Sequence, residues 1–339
     1  MCRPLMADPD MPKKYAEDRP EDRRPCLRCD SCAKHLGTPK PIFCAVNPMS
    51  GMTSDLPDGV VPKAPKKKRV AIVGGGPAGI QALQTLLDRG HDVTLYEKSG
   101  ALGGHVIEAA VPPFKQDVRD YLQWMRHTAQ QCAERGAKIL LNTAATPDLL
   151  NKEHYDALIL ALGADPIIPN VPGIHGDNVV WAPDAEAGRV GVGDTLAVIG
   201  GSAVGMEAAL DFHRQGKKVT VIEMLAEGPA GAKLHASAGS GSAELKRIFG
   251  LENIPVKYGH KLLEVKPDGI LCEIVETGEQ VFIPCDTVLL AVGLRPRMAE
   301  TDSMRHCAPE TSVFVVGDGM KAASICEAVN DTFRVCLHI

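Results

Sequence analysis

Short apolar runs recur along this chain, and each is closed by a glycine or an acid. They are Arg69-Val-Ala-Ile-Val73, Asp92-Val-Thr-Leu-Tyr96, Leu158-Ile-Leu-Ala-Leu162, Thr195-Leu-Ala-Val-Ile199, Lys218-Val-Thr-Val-Ile222, Val288-Leu-Leu-Ala-Val292 and Val313-Phe-Val-Val316. Runs this short and this continuous predict parallel strands covered on both faces, because a strand with one wet face would alternate. Helical stretches follow the first and fourth runs and stop at Arg89-Gly90 and Gln215-Gly216, and a closing helix is expected over Ala322–Phe333. Strands alternating with helices predict an α/β fold.

Two of these strand–helix–strand units are copies of one pattern. The first enters Gly74-Gly-Gly76-Pro-Ala-Gly79 and ends its second strand at Glu97; the other enters Gly200-Gly201-Ser202-Ala-Val-Gly205 and ends at Glu223. The distance from first glycine to acid is 23 residues in both. That is the register of a dinucleotide fingerprint. The first glycine turns the chain out of a buried strand, the middle one lets the backbone approach a pyrophosphate, and the last allows close helix–strand packing. The helix N-terminus presents free N–H groups to the phosphates, and the acid accepts from a ribose hydroxyl. Ser202 stands at the middle-glycine position of the second copy, where a Cβ is expected to crowd the pyrophosphate.

At 339 residues the chain has room for two or three domains. A hydrophobic share of 45% with 23% charged residues is that of a soluble globular protein, and a net charge of −5 argues against a nucleic-acid partner. No apolar run approaches the roughly 20 residues that span a bilayer, and no signal peptide opens the chain, so a cytoplasmic protein is expected. Lys66-Lys-Lys-Arg69, just before a strand, reads as a solvated strand entrance.

Of the 11 cysteines, four are clustered: Cys26, Cys29, Cys32 and, after a returning loop, Cys44. Three thiols at two-residue intervals plus a fourth suit an iron–sulfur cube. The competing reading is structural zinc, whose usual pattern is two CxxC pairs on a longer loop. Cys132, Cys272, Cys285, Cys307, Cys326 and Cys336 are scattered in apolar segments and read as reduced core thiols. Residues 49–68, rich in Pro, Gly, Ser and Lys, read as a linker.

The order of the cysteine motif, VAIVGGGPAGIQA, EKSGALGGH, the second glycine unit and VVGDGMKAASICEAVND resembles the C-terminal half of the flavin/iron–sulfur oxidoreductases typified by 2,4-dienoyl-CoA reductase, trimethylamine dehydrogenase and clostridial enoate reductases. The resemblance covers essentially the whole chain. It implies two Rossmann-like domains: an FAD domain at 69–165 and 291–339, and an NAD domain at 166–290 inserted into it, preceded by an iron–sulfur segment at 26–48. It implies FAD on Gly74, Gly76, Gly79, Glu97, Gly104, Gly317 and Asp318, NADH on Gly200, Gly201, Ser202, Gly205 and Glu223, and a 4Fe–4S cluster on Cys26, Cys29, Cys32 and Cys44. For Asp318 a helix N-cap is the plain reading, compatible with the other.

In that family an FMN-bearing TIM barrel precedes the cluster. Residues 1–25, with Cys2-Arg3-Pro4, resemble the end of such a barrel, so the barrel is expected to be truncated or carried by a separate polypeptide partner. The chain is then expected to associate through apolar surface near the cluster, as an oligomer or with that partner. Residues 101–131 and 200–260 contain no cysteine, so electrons are expected to leave the flavin through the cluster and not a dithiol. The implied reaction is NADH to FAD to cluster to FMN, with reduction of an activated C=C bond. Two rivals stay open: a trimethylamine dehydrogenase-like arrangement with ADP in place of FAD, and a non-catalytic zinc and nucleotide scaffold. No catalytic side chain is assigned; His35, His105 and His213 read as surface or packing residues.

Overall fold

The computed structural model describes residues 2–34, 36–39, 41–52, 54–56, 59–227, 240–309 and 312–339. His35 lies outside them. The chain divides into two compact units: one formed by Met1–Ala110, Gln116–Asp165 and Arg295–Ile339, the other by Val111–Lys115 and Pro166–Leu294. The second is therefore an insertion in the first, and it also takes in five residues from an earlier loop.

The first unit is built on a five-stranded parallel sheet. Its order is Val313–Val315, Ala157–Leu160, β1 (Arg69–Val73), β2 (Asp92–Tyr96) and Lys138–Leu140. β1 is central, and Val70, Ala71 and Ile72 are fully buried, as its unalternating sequence requires. From it the chain turns into α1 (Pro77–Arg89), which has proline in its first turn and stops at Gly90 with φ +97°, a left-handed cap that glycine adopts without strain. Within the stretch 49–68, expected as a linker, residues 62–64 are bonded to the end of α1: Arg89 donates to Pro62 O, Lys63 to Asp88 O, and Ala64 N–H to Arg89 O.

The second unit repeats the plan. Its parallel sheet runs Val179–Trp181, Thr287–Leu290, β3 (Thr195–Ile199), β4 (Lys218–Ile222) and Val256–Lys257, with α2 (Ala203–Arg214) leaving β3. Beside it lies an antiparallel meander, His260–Lys266, Gly269–Ile274 and Gln280–Pro284. The apolar periodicity gave no sign of that meander, although Lys266-Pro-Asp-Gly269 is a turn sequence.

The closing helix, α3, runs Ile325–Cys336, three residues later than expected at its start. Ser324 sets the start: it caps the helix in a reciprocal box with Glu327. Asp318 is thus not the N-cap. Among the described residues, no helix is long and apolar enough to cross a membrane.

One carboxyl in the second unit is out of its ordinary state. Burial, then the negative charges of Asp211 and Glu207, push Glu186 up to about 8, against an opposing Lys115. Its Oε1 is buried with no hydrogen-bond partner. The folded state therefore holds a proton that the unfolded chain releases near the ordinary carboxyl value of 4.5. Stability tied to that proton is complete below about 4.5 and is lost as pH rises through about 8. Glu186→Gln, a mimic of the protonated form, should melt like the parent near pH 5 and higher than it above about pH 8, giving a flatter melting-versus-pH curve. Parallel curves for the two proteins would show that Glu186 is not the group responsible.

Candidate dinucleotide and cysteine sites

At the end of β1 the backbone leaves no room for other side chains. Gly74 has φ +110°, and a Cβ there would lie 2.2 Å from Ala161 O; one on Gly79 would lie 1.9 Å from Gly74 O. Gly76 differs. A Cβ on it would meet only Gly104 Cα, at 3.8 Å, so the space in front of it is open. Glu97, at the end of β2, is buried beneath the loop: Gly75 N–H donates to its Oε2 at 2.7 Å, and Ser99 N–H and Oγ donate to its Oε1, both at 2.8 Å. The carboxylate fixes the loop and keeps lone pairs for a further donor such as a ribose hydroxyl.

The second copy has nearly the same geometry. Gly200 has φ +107°, and a Cβ on Gly205 would lie 2.0 Å from Gly200 O. Gly201 N–H donates to Glu223 Oε2 at 2.7 Å, and Leu225 N–H to Oε1 at 2.8 Å. Ser202 has φ −68°, ψ 173°, close to the −78° and −172° of Gly76, an extended conformation open to any residue. Its hydroxyl donates to Ala291 O at 3.3 Å, so the side chain turns back onto a strand end.

Two more segments meet α1 in the first unit. Gly103 N–H donates to Gly75 O, and Gly104, with φ +54°, puts its own virtual Cβ 3.1 Å from Gly76 Cα. Gly317, φ +60°, lies against Ala78 in the first turn of α1. The neighbouring Asp318 accepts from Ala323 N–H at 3.0 Å, and burial pushes its carboxyl above the usual range. The fingerprint loop, Gly104 and Gly317-Asp318 therefore surround the N-terminus of one helix, where backbone N–H groups favour an anionic ligand. His105 holds Ala164 O at 2.9 Å, and Glu108 beside it pushes its imidazole up; His213 sits in the last turn of α2.

The four clustered cysteines line one pocket, with about 300 Å³ of empty space including its mouth, together with Arg3, Met6 and Asp30. Left-handed backbone at Arg28 (φ +50°) and Asp30 (φ +55°) turns the chain twice within the motif. Among the described residues, no group of three or more His, Cys, Asp or Glu is close enough to hold a single metal ion. Backbone N–H groups already point at sulfur: Arg28 N–H at 3.4 Å from Cys26, and those of Val46 and Asn47 at Cys44. Behind the pocket Arg24 bonds Asn47 and Gln84 and stacks over Trp124, its guanidinium 4.8 Å from the ring centroid.

Two Rossmann-type sheets with matching glycine loops define the class, a two-domain oxidoreductase handling dinucleotides. The sequence profile of the pyridine nucleotide-disulphide oxidoreductase family matches residues 68–326, and the chain belongs to that family. It is 32% identical to a cinnamate reductase of Clostridium sporogenes, over 99% of this chain and 49% of the relative. It is 31% identical to an NADH oxidase of Thermoanaerobacter brockii, over 99% and 51%. A solved 2-naphthoyl-CoA reductase complex superposes with a TM-score of 0.89 at 30% identity, over 100% of this chain and 50% of that one. The chain thus spans about half the length of these relatives and is similar to one half of each. Its membership of the oxidoreductase family rests on the profile match, and its relatives include a cinnamate reductase and a 2-naphthoyl-CoA reductase.

Gly76→Val puts a side chain into the open space in front of the first loop. Overpacking of this kind costs about 1–3 kcal/mol, so flavin affinity should fall roughly tenfold or more while circular dichroism stays that of the parent. An unchanged flavin-to-protein ratio would remove Gly76 from the cofactor site.

Proposed function

We propose that this chain is the NADH-oxidising module of a flavin/iron–sulfur oxidoreductase. It would carry electrons from NADH through FAD to a 4Fe–4S cluster and on to FMN on a TIM-barrel domain or subunit, where an activated C=C bond is reduced. The observation that carries the reading is that Cys26, Cys29, Cys32 and Cys44 share one pocket in the same compact unit as the Gly74–Gly79 loop. The relatives support it, since they include a cinnamate reductase, a 2-naphthoyl-CoA reductase and an NADH oxidase, each about twice this chain's length.

When bound, the flavin would supply hydride acceptance and single-electron release, and the cluster would carry single electrons. The protein's part is placement. Gly74, Gly76 and Gly79 would let the N-terminus of α1 hold the FAD pyrophosphate, Glu97 would accept from its ribose, and Gly104 and Asp318 would complete the site. Gly200, Gly201, Ser202 and Gly205 would do the same for NADH at α2, with Glu223 accepting from its ribose. Leu5, Tyr15, Leu36 and Ile42, in or shortly before the cysteine segment in sequence, are exposed apolar side chains that a barrel would cover.

Anaerobically prepared protein is expected to contain about four iron and four acid-labile sulfide per chain, with flavin. Cys29→Ser should abolish the broad brown absorbance and leave the flavin bound. With NADH the chain should reduce ferricyanide, and unsaturated acids or thioesters only beside an FMN barrel. Stoichiometric zinc without iron, or released ADP without flavin, would overturn the reading.

Glu223 sets the nucleotide preference. A 2′-phosphate beside that buried carboxylate pairs like charges, at a cost of about one to a few kcal/mol, so kcat/KM should favour NADH over NADPH by roughly tenfold or more. Equal values would contradict this role.

A further inference from the structure

Cys326 and Asn330, one turn apart in α3, take no part in the relay as proposed, yet both are buried, at 4% and 8% exposure. Both reach the cysteine segment. The Asn330 amide nitrogen lies 3.0 Å from Cys44 O, 2.9 Å from Cys326 O and 3.7 Å from Cys326 Sγ. The buried Ser31 hydroxyl is 3.3 Å from Cys29 Sγ and also hydrogen-bonds the Cys326 side chain. Contacts therefore run unbroken from Cys29 through Ser31, Cys326 and Asn330 to the backbone of Cys44.

The direction of these bonds follows from the proton count. A hydroxyl has one proton to give, and a cysteine bound to iron has none. With Cys29 as a thiolate, Ser31 donates to it, which leaves the Ser31 oxygen free to accept from the Cys326 S–H. In that arrangement Cys326 is a donor to Ser31 and not a fifth ligand. Asn330 meanwhile satisfies a carbonyl of the fourth cysteine, which arrives on a separate loop and has no place in the CxxCxxC turn. Donors aimed at cluster sulfurs stabilise the more negative, reduced state, and outer partners hold ligands in place.

We infer that Cys326 and Asn330 are positioning residues for the iron–sulfur cluster, Cys326 by orienting the Ser31 hydroxyl onto Cys29 and Asn330 by fixing the backbone of Cys44. The inference rests on the cluster reading above.

The test uses the full chain, purified anaerobically, as wild type, Cys326→Ala, Cys326→Ser and Asn330→Leu. Flavin content and melting temperature report the fold. Cluster loss to a chelator is followed by absorbance, and the cluster's reduction potential by titration with electron paramagnetic resonance. Cys326→Ala and Asn330→Leu should keep flavin and lose the cluster roughly tenfold faster, in line with other outer partners of metal ligands. Cys326→Ala should also be harder to reduce, while Cys326→Ser, which keeps a donor, should match wild type in both respects. Wild-type loss rate and potential in Cys326→Ala would overturn the proposal, as would Cys326→Ser behaving like the alanine variant. Loss of flavin together with the cluster in both Cys326→Ala and Asn330→Leu would mark mere packing. Wild-type protein with flavin but no iron would instead sink the cluster reading itself.

Discussion

A buried carboxylate holding the second amide of a glycine loop is the constraint on which both units turn. Gly75 N–H on Glu97 and Gly201 N–H on Glu223 are each 2.7 Å bonds. Each acid is more than nine-tenths buried, and a buried carboxylate is tolerable only when its lone pairs are met. The loop amide meets one, and the residue two positions on meets another. In return the loop is held at the C-terminal end of a central strand, with its left-handed first glycine leading into the helix N-terminus. Removing the acid would leave a buried N–H unpaired and free the loop, so the side chain expected to touch a ribose also builds the place where the ribose would lie.

How much of this was legible depends on the range of the interaction. The seven apolar runs point to parallel strands because burial on both faces leaves its mark on every residue of a strand. The glycines of the two loops are equally readable through their repeated spacing, although the contacts that exclude a Cβ at Gly74 and Gly200 come from Ala161 and Ala291, far along the chain. The meander at 260–284 escaped because its strands alternate imperfectly and Pro267-Asp268-Gly269 was the only strong sign of it. The start of α3 was misjudged because Ser324 and Glu327 form their box within the predicted helix, not at its edge. The grouping of Val111–Lys115 with the second unit has no local signature, since Pro112-Pro113 looks like any loop.

The cysteine segment shows the same divide. Cys26, Cys29 and Cys32 announce themselves by spacing, and the left-handed residues between them explain how three neighbours can face one pocket. Arg24, Ser31, Cys326 and Asn330 do not announce themselves. An arginine before a motif, a serine within it and two residues of a distant helix acquire meaning only when the chain brings them together, Asn330 meeting Cys44 across 286 positions of sequence.

The insertion has a consequence for how the molecule comes to exist. The edge strand Val313–Val315 pairs with Ala157–Leu160, with Val313 opposite Leu158, 155 residues earlier. A ribosome must therefore make the whole inserted unit before the first sheet can be completed. In the interval the Ala157–Leu160 edge, continuous in apolar side chains, stays unpaired and open to other strands. The second unit, contiguous but for five residues already synthesised, can close first, so the domain that begins earlier in the chain is the one that finishes last.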